Sequence, residues 1–238
     1  MATCLDYAKI AMASYYTAKT QYYMSPPGNM VDDWTVPHWE TGTLFGNGYQ
    51  GGIWASDTDA VVGCCGTNTK KKGKMFQDLI ADLKVGLRLI PSQAKAAIKM
   101  VKVAQGLAAG RRVSVCGHSL GGGLAQVCGV KCGVPFVTFN APAMKAILVA
   151  SETGLGNLPV YGAVVATRLA NAGFANDYPG VNFRIDGDPV STHLSGLAGT
   201  HVGMVVDLTK YLNKGSHGKD QCWQAILETD WAFIDPFG

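Results

Sequence analysis

The sequence has few charged residues and no long uninterrupted apolar run. Charged residues make up 16% of its 238 residues, whereas hydrophobic residues make up 47%. This composition excludes a chain that is disordered over most of its length. The N-terminus lacks a basic start followed by an apolar block, and no apolar run is long enough to span a membrane. We therefore expect one domain over residues 1–238 with no signal peptide, located in the cytoplasm or exported by a signal-independent route.

The cysteines show no pattern that would indicate a disulfide framework or a metal site. There are seven of them, and an odd number without regular spacing argues against paired disulfides. Cys128 and Cys132 share a predicted helix, but no CxxC or HxH motif accompanies them. We expect small buried thiols, no metal and no cofactor.

Basic residues are also too few to indicate nucleic-acid binding. The formal net charge is +3, and the strongest local cluster is KKKGK at residues 70–74. This cluster is short and isolated, and no aromatic residues interleave with it. A solvated loop is the simplest interpretation, so nucleic acid is not an expected partner.

Strand and helix patterns alternate along the chain. The patterns predict strands at residues 53–55, 60–65, 112–116, 134–139 and 181–185, helices at 5–20, 75–89, 91–107 and 120–130, and a loop at 24–51. The strands are short and continuously apolar, as expected where helices cover both faces of a sheet. This alternation predicts an α/β fold with a mostly parallel central sheet flanked by helices.

One stretch, VSVCGHSLGGGLAQ at residues 113–126, carries a chemical signal. A predicted strand ends in Gly117, a helix-forming run follows, and Ser119 stands at the turn between them. A sharp turn of this kind exposes the serine oxygen at the carboxyl edge of the sheet, next to the free N–H groups of a helix N-terminus. Gly117 and Gly121 would remove the clashes of such a tight bend. The pattern is that of a G-x-S-x-G nucleophile elbow, which makes Ser119 the candidate nucleophile.

GHSLGG followed by a helix of small residues resembles the class 3 lipase family of α/β-hydrolases, the fungal-type lipases and their bacterial relatives. Three further stretches resemble segments of that family: VVGCCGTNT at 61–69, FQDLIADL at 76–83 and FRIDGDPVS at 183–191. The resemblance extends over about residues 50–230. It implies an α/β-hydrolase fold and a Ser-Asp-His triad in that order along the chain. Cys65 departs from the pattern, since the family usually has arginine there.

Two acidic residues follow the strand at 181–185 and could supply the triad carboxylate. The family's acid stands just before a short Val segment, and the DPV sequence matches this position to Asp188. Asp186 is the alternative. Either residue could instead cap the end of the strand as an Asx turn.

Five histidines could serve as the base that activates the serine hydroxyl. His118 lies inside the elbow and is expected to point away from its neighbour. His38 precedes Ser119 and so contradicts the chain order of the fold. His193 follows Asp188 too closely in sequence.

Two histidines remain as candidates. His217 precedes a predicted helix, KDQCWQAIL, as the family's catalytic histidine does, and we prefer it. His201 matches a His-Val-Gly sequence that precedes the catalytic histidine in the family. It remains the alternative, with a structural role as the simpler interpretation.

The resemblance also indicates the groups that would stabilise an oxyanion. The backbone N–H of Leu120, directly after the nucleophile, would be one donor, and Thr67 would supply the second. In fungal members the next segment is a lid, which here corresponds to residues 68–77. This segment is polar and rich in lysine.

Taken together, these patterns predict a serine carboxylic-ester hydrolase, of the lipase or esterase type, that cleaves acyl glycerides or similar lipid esters. The expected partners are a lipid or ester substrate and, transiently, a lipid surface; the oligomeric state is open. The first alternative is a phospholipase A acting on membrane phospholipids. A second, from another class, is an inactive hydrolase fold that serves as a binding module.

Overall fold

The computed structural model describes residues 1–15, 31, 33–41, 48–66, 76–152, 178–193, 200–208 and 217–238. Within these residues the strands form one seven-stranded sheet in the order β1 to β7. The strands are β1 Thr35–Thr41, β2 Gln50–Ala55, β3 Asp59–Cys64, β4 Arg112–His118, β5 Phe136–Phe139, β6 Gly180–Ile185 and β7 Met204–Leu208. β1 to β3 pair antiparallel and β3 to β7 pair parallel, which confirms the mostly parallel sheet that the sequence predicts.

Helices precede the sheet, connect its parallel strands and follow it. They are α1 Cys4–Ala13, α2 Phe76–Leu107, α3 Leu120–Cys132, α4 Lys145–Glu152, α5 Pro189–His193, α6 Lys219–Leu227 and the 3₁₀ helix Asp230–Phe233. A capping box fixes the start of α1, because Thr3 and Asp6 satisfy each other's backbone N–H groups. No helix in the described part of the chain is both long and apolar enough to cross a membrane.

Alternate residues of the strands belong to two different hydrophobic cores, one on each face of the sheet. Val62 and Val115 belong to the core that also contains residues of α2 and α3. Val61 and Cys116, their neighbours in sequence, belong to the core that contains residues of α1 and α6. The sheet is therefore covered on both faces, as its continuously apolar strands predict. None of the seven cysteines, all of which the structure describes, forms a disulfide bond, and six of them are buried.

The predicted loop at 24–51 is wrong in part, because β1 and the first residues of β2 lie in it. Proline disfavours a central strand but is tolerated on an edge strand. β1 is the edge strand of the described sheet, and its register against β2 shifts between Thr35 and His38, where Pro37 stands. The loop was expected from the prolines and glycines of this segment, and Pro37 is compatible with a strand because β1 lies at the edge.

Two further elements differ from prediction. The helices expected at 75–89 and 91–107 are one helix of 32 residues, since α2 continues through Pro91. A proline removes one N–H from the helical ladder, and in this long helix the other ladder bonds outweigh that loss. β7 was not predicted, because five residues ahead of a polar stretch give too short a pattern. The part of the first predicted helix beyond residue 15 lies outside the described residues.

Candidate active site

Ser119 occupies the turn between β4 and α3 in a backbone conformation that residues with side chains rarely adopt, with φ 57° and ψ −129°. Neighbouring glycines make this turn possible. A Cβ on Gly117 would lie 2.4 Å from the carbonyl group of Gly121, and a Cβ on Gly121 would lie 2.2 Å from the carbonyl oxygen of Cys64. Neither position could carry a side chain without a backbone shift, in agreement with the steric argument made from the sequence.

His217 lies beside the Ser119 hydroxyl. Its Nε2 is 2.9 Å from Ser119 Oγ, and its Nδ1 is 2.8 Å from Asp188 Oδ1. A carboxylate only accepts hydrogen bonds, so Nδ1 carries the proton and donates to Asp188. In the neutral ring Nε2 is then an acceptor for the serine hydroxyl. Three residues far apart in sequence thus form one continuous hydrogen-bonded chain.

The Asp188 carboxylate is fully buried and fixed at both oxygens. Oδ1 faces His217, while Oδ2 accepts from the backbone N–H and the hydroxyl of Ser191 at 2.8 and 2.7 Å. Asp188 directly precedes α5, so it also caps this short helix. Asp188 therefore caps the start of a helix, rather than the end of the strand, and contacts His217 in the same geometry. Asp186 is exposed, and its backbone N–H bonds to the carbonyl of Leu208.

The remaining histidines have other environments. His201 is buried, and desolvation lowers its pKa from 6.5 to about 4. His38 lies on the edge strand β1, opposite Ile53. The side chain of His193 is not described. His118 has Nδ1 2.9 Å from the Tyr15 hydroxyl and Nε2 2.8 Å from the carbonyl oxygen of His217.

Of the two oxyanion donors expected from the resemblance, the structure describes one. Leu120 is buried and is the first residue of α3, where backbone N–H groups have no partner within the helix. Thr67 lies outside the described residues. The same holds for residues 68–75 of the expected lid, whose last two residues begin α2.

Sequence reasoning missed two features of the site. Part of the support that Ser191 gives Asp188 could have been read from the sequence, because an Asp followed by Pro is typical of a helix start whose cap accepts from the N–H three positions on, here that of Ser191. The contact of His118 with Tyr15 and with the His217 backbone gave no local signal. Among the described residues, no cluster of His, Cys, Asp and Glu is arranged to hold a metal ion.

A nucleophile elbow after a central parallel strand, an acid after a later strand and a histidine behind it define the α/β-hydrolase fold. Solved lipases share this fold. The Rhizomucor miehei lipase–propeptide complex has a TM-score of 0.55 at 14% identity, over 96% of this chain and 79% of that chain. Lip2 lipase from Yarrowia lipolytica has a TM-score of 0.56 at 14% identity, over 86% of this chain and 77% of that chain. The sequence resemblance to class 3 lipases is thereby confirmed at the level of the fold.

The family itself follows from the sequence comparison. The Tle-like phospholipase domain matches residues 32–193, and the chain belongs to this family. A bacterial relative, the extracellular phospholipase A1 of Serratia liquefaciens, is 33% identical over 100 residues. That alignment covers 42% of this chain but only 29% of the relative's length.

Proposed function

We propose that the protein is a serine carboxylic-ester hydrolase that cleaves acyl glycerides or similar lipid esters. The observation that carries this proposal is the hydrogen-bonded chain from Ser119 Oγ through His217 to the buried Asp188. A serine hydroxyl is a poor nucleophile unless a base lies within hydrogen-bond reach and a third group orients that base. His217 satisfies the first condition and Asp188 the second.

In the proposed reaction, Ser119 Oγ attacks the ester carbonyl carbon while His217 Nε2 takes the hydroxyl proton. The C–O bond to the alcohol breaks, and His217 returns the proton to the departing alkoxide. This leaves an acyl-enzyme. A water molecule then repeats the sequence and releases the fatty acid. Asp188 stays ionised throughout and stabilises the charged imidazole that forms in each half-reaction.

The negative charge that develops on the carbonyl oxygen needs hydrogen-bond donors at a fixed position. We assign one to the backbone N–H of Leu120, at the N-terminus of α3, where the helix dipole also favours negative charge. Thr67 remains the proposed second donor, on the resemblance alone. Loss of one such donor typically costs about 3 kcal/mol of transition-state stabilisation.

A phospholipase A is the second candidate, and two observations favour it. The family model is that of a phospholipase-like domain, and the bacterial relative is a phospholipase A1 by name. The sequence adds a third consideration, because residues 70–74 read KKKGK. Each lysine near an anionic membrane surface contributes about 1 kcal/mol of attraction.

Fatty-acid release from three lipid preparations tests the proposal. These are neutral phospholipid vesicles, vesicles with anionic phospholipid, and a triglyceride emulsion. We expect the wild type to release fatty acid from at least one of them and the Ser119→Ala variant from none. Release that is equal in the two proteins would contradict the proposal. Release from vesicles well above that from the emulsion would assign the protein as a phospholipase, and the reverse order would assign it as a lipase.

A further inference from the structure

His118 contacts the backbone of the residue that supplies the proposed base. Its Nε2 lies 2.8 Å from the carbonyl oxygen of His217, and the two rings lie 5.0 Å apart, tilted by 38°. A carbonyl oxygen only accepts hydrogen bonds, so Nε2 carries the proton and donates it. In the neutral ring, Nδ1 of His118 is then an acceptor.

Tyr15 provides the group that this acceptor needs. Its hydroxyl is 2.9 Å from His118 Nδ1 and 3.1 Å from the His118 carbonyl oxygen. The backbone N–H of Gly66 bonds to the same hydroxyl. Desolvation raises the pKa of Tyr15 well above its ordinary value, so the hydroxyl keeps its proton and remains a donor. The His217 carbonyl therefore fixes the proton on His118 Nε2, while the Tyr15 hydroxyl contacts both Nδ1 and the carbonyl oxygen of His118.

These contacts join three separate segments of the chain at the site. Tyr15 follows α1, Gly66 follows β3 and directly precedes Thr67, and His118 is the last residue of β4. A Cβ on Gly66 would lie 2.1 Å from the Tyr15 hydroxyl and 2.7 Å from the His118 carbonyl oxygen. The glycine is needed here because the three segments approach so closely.

We propose that His118 is a positioning residue, an inference that rests on the proposed function. Tyr15 holds the His118 ring, and this ring fixes the backbone of His217 relative to Ser119. The backbone of His118 leads directly into Ser119, while its side chain holds the carbonyl of His217. Nucleophile and base are thereby fixed to the same residue. The His217 ring itself bonds to Asp188 through Nδ1. His118 therefore fixes the backbone position of His217, and Asp188 fixes the orientation of its ring.

The expected effect is on the chemical step rather than on substrate binding. A displacement of about 1 Å in a catalytic group costs on the order of 100-fold in rate. Loss of the His118 contact should therefore lower kcat by about 30- to 100-fold and leave KM within about 2-fold. If a substitution only reduced the amount of folded protein, the amount of active enzyme would fall. It would not produce the difference in kcat that we expect between the two His118 variants described next.

Two substitutions at the same position separate the two halves of the contact. In His118→Gln the side-chain amide reaches the position of Nε2 and can still donate to the His217 carbonyl. In His118→Asn the amide reaches only the position of Nδ1, so it can still meet Tyr15 but not His217. We expect the Gln variant to keep kcat within about 5-fold of the wild type and the Asn variant to show the full loss. Tyr15→Phe should give an intermediate loss, because it frees the ring without removing it.

The measurement is kcat and KM for a soluble p-nitrophenyl ester, together with the NMR resonance of the His217 Nδ1 proton that bonds to Asp188. We expect this resonance to persist in the wild type and in His118→Gln, and to broaden or disappear in His118→Asn. Equal kcat values for the Gln and Asn variants, or an unchanged resonance in both, would overturn the proposal. A wild type that hydrolyses no ester would contradict the proposed function instead, and the resonance would still report on the His118 contact.

Discussion

Two partly buried polar networks lie at opposite ends of the same pair of strands, and they are built differently. At the amino end, Asp59 begins β3 and Arg112 begins β4, where they are paired in register. Arg112 bonds to Asp59 at 2.7 Å and to Asp235 at 2.8 Å. At the carboxyl end, the network runs through Ser119, and its members lie in turns and loops.

The two networks differ in the groups that they contain and in the segments that they connect. The backbone N–H of Ala2 donates to Asp59 at 2.8 Å, and Asp235 bonds to Arg112 at 2.8 Å, so the amino-end network connects the segments before α1 and after the 3₁₀ helix to the sheet. It consists of full charges that are paired with each other. The carboxyl-end network instead presents the Ser119 hydroxyl and the His217 imidazole at the edge where open α/β sheets bind ligands. We infer that the first network serves stability and the second serves chemistry.

The largest effect is expected at Asp188. Asp188→Asn places an amide where the carboxylate accepts the His217 proton, which favours the wrong tautomer of the imidazole. We expect kcat for a p-nitrophenyl ester to fall by about 10⁴-fold. Asp186→Asn is the matched control, because this neighbouring carboxylate is exposed, and its activity should stay within about 2-fold. Similar losses in both variants would remove the distinction between the two aspartates.

At the other end of the strands, Asp59→Asn should reduce stability and leave chemistry intact. The substitution removes one of the two counter-charges of the partly buried Arg112, which keeps its pair with Asp235, so we expect a loss of about 2–3 kcal/mol. Urea unfolding measures this loss, and active-site titration gives the kcat of the molecules that remain folded. A strong loss of kcat per folded molecule would show that the two ends are coupled.

His201 provides a pH-dependent test in a third place. Its pKa falls from 6.5 in the unfolded chain to about 4 in the folded protein, because burial disfavours the charged ring. The unfolded state therefore takes up the proton first as pH falls. Stability that is fully present above about pH 6.5 should decline towards pH 4, by about 3 kcal/mol in all. Urea unfolding at pH 7 and pH 4 should show a smaller decline in His201→Gln, and an equal decline would exclude this histidine as the cause.

The smallest effect is expected for a pair with the same chemistry as Asp59 and Arg112 but exposed to solvent. Arg184 and Asp207 are 2.6 Å apart, yet the Asp207 side chain is 62% exposed, whereas that of Asp59 is fully buried. Exposed pairs typically contribute about 0.5 kcal/mol. Asp207→Asn should therefore change the unfolding free energy by about that amount, and a change as large as that of Asp59→Asn would undermine the contrast.

The features that could be predicted from the sequence are those that depend on residues close together in it or on a pattern repeated along it. The elbow at Ser119 is encoded within a few residues, since two glycines and a strand–helix boundary suffice to specify it. The parallel sheet follows from an apolar pattern repeated along the chain. His217 was preferred over His201 because it precedes a helix and because of the family resemblance, and the structure brings it to the Ser119 hydroxyl.

The features that were missed depend on contacts between distant segments or on compensation by the surroundings. Tyr15 meets His118 only after α1 packs against the sheet, and no local pattern announces that meeting. Pro37 and Pro91 both suggested breaks, yet an edge position and a long helix accommodate them. Thr67 lies outside the described residues, and its role stays a prediction.

The most direct test of the central claim is labelling with a fluorophosphonate, which reacts with serine hydroxyls that a neighbouring base has activated. We predict a single adduct on Ser119, located by peptide mapping. Labelling should be absent in Ser119→Ala, slowed by several orders of magnitude in His217→Ala and unchanged in His201→Gln. An adduct on another residue, or labelling of His217→Ala at the wild-type rate, would contradict the account.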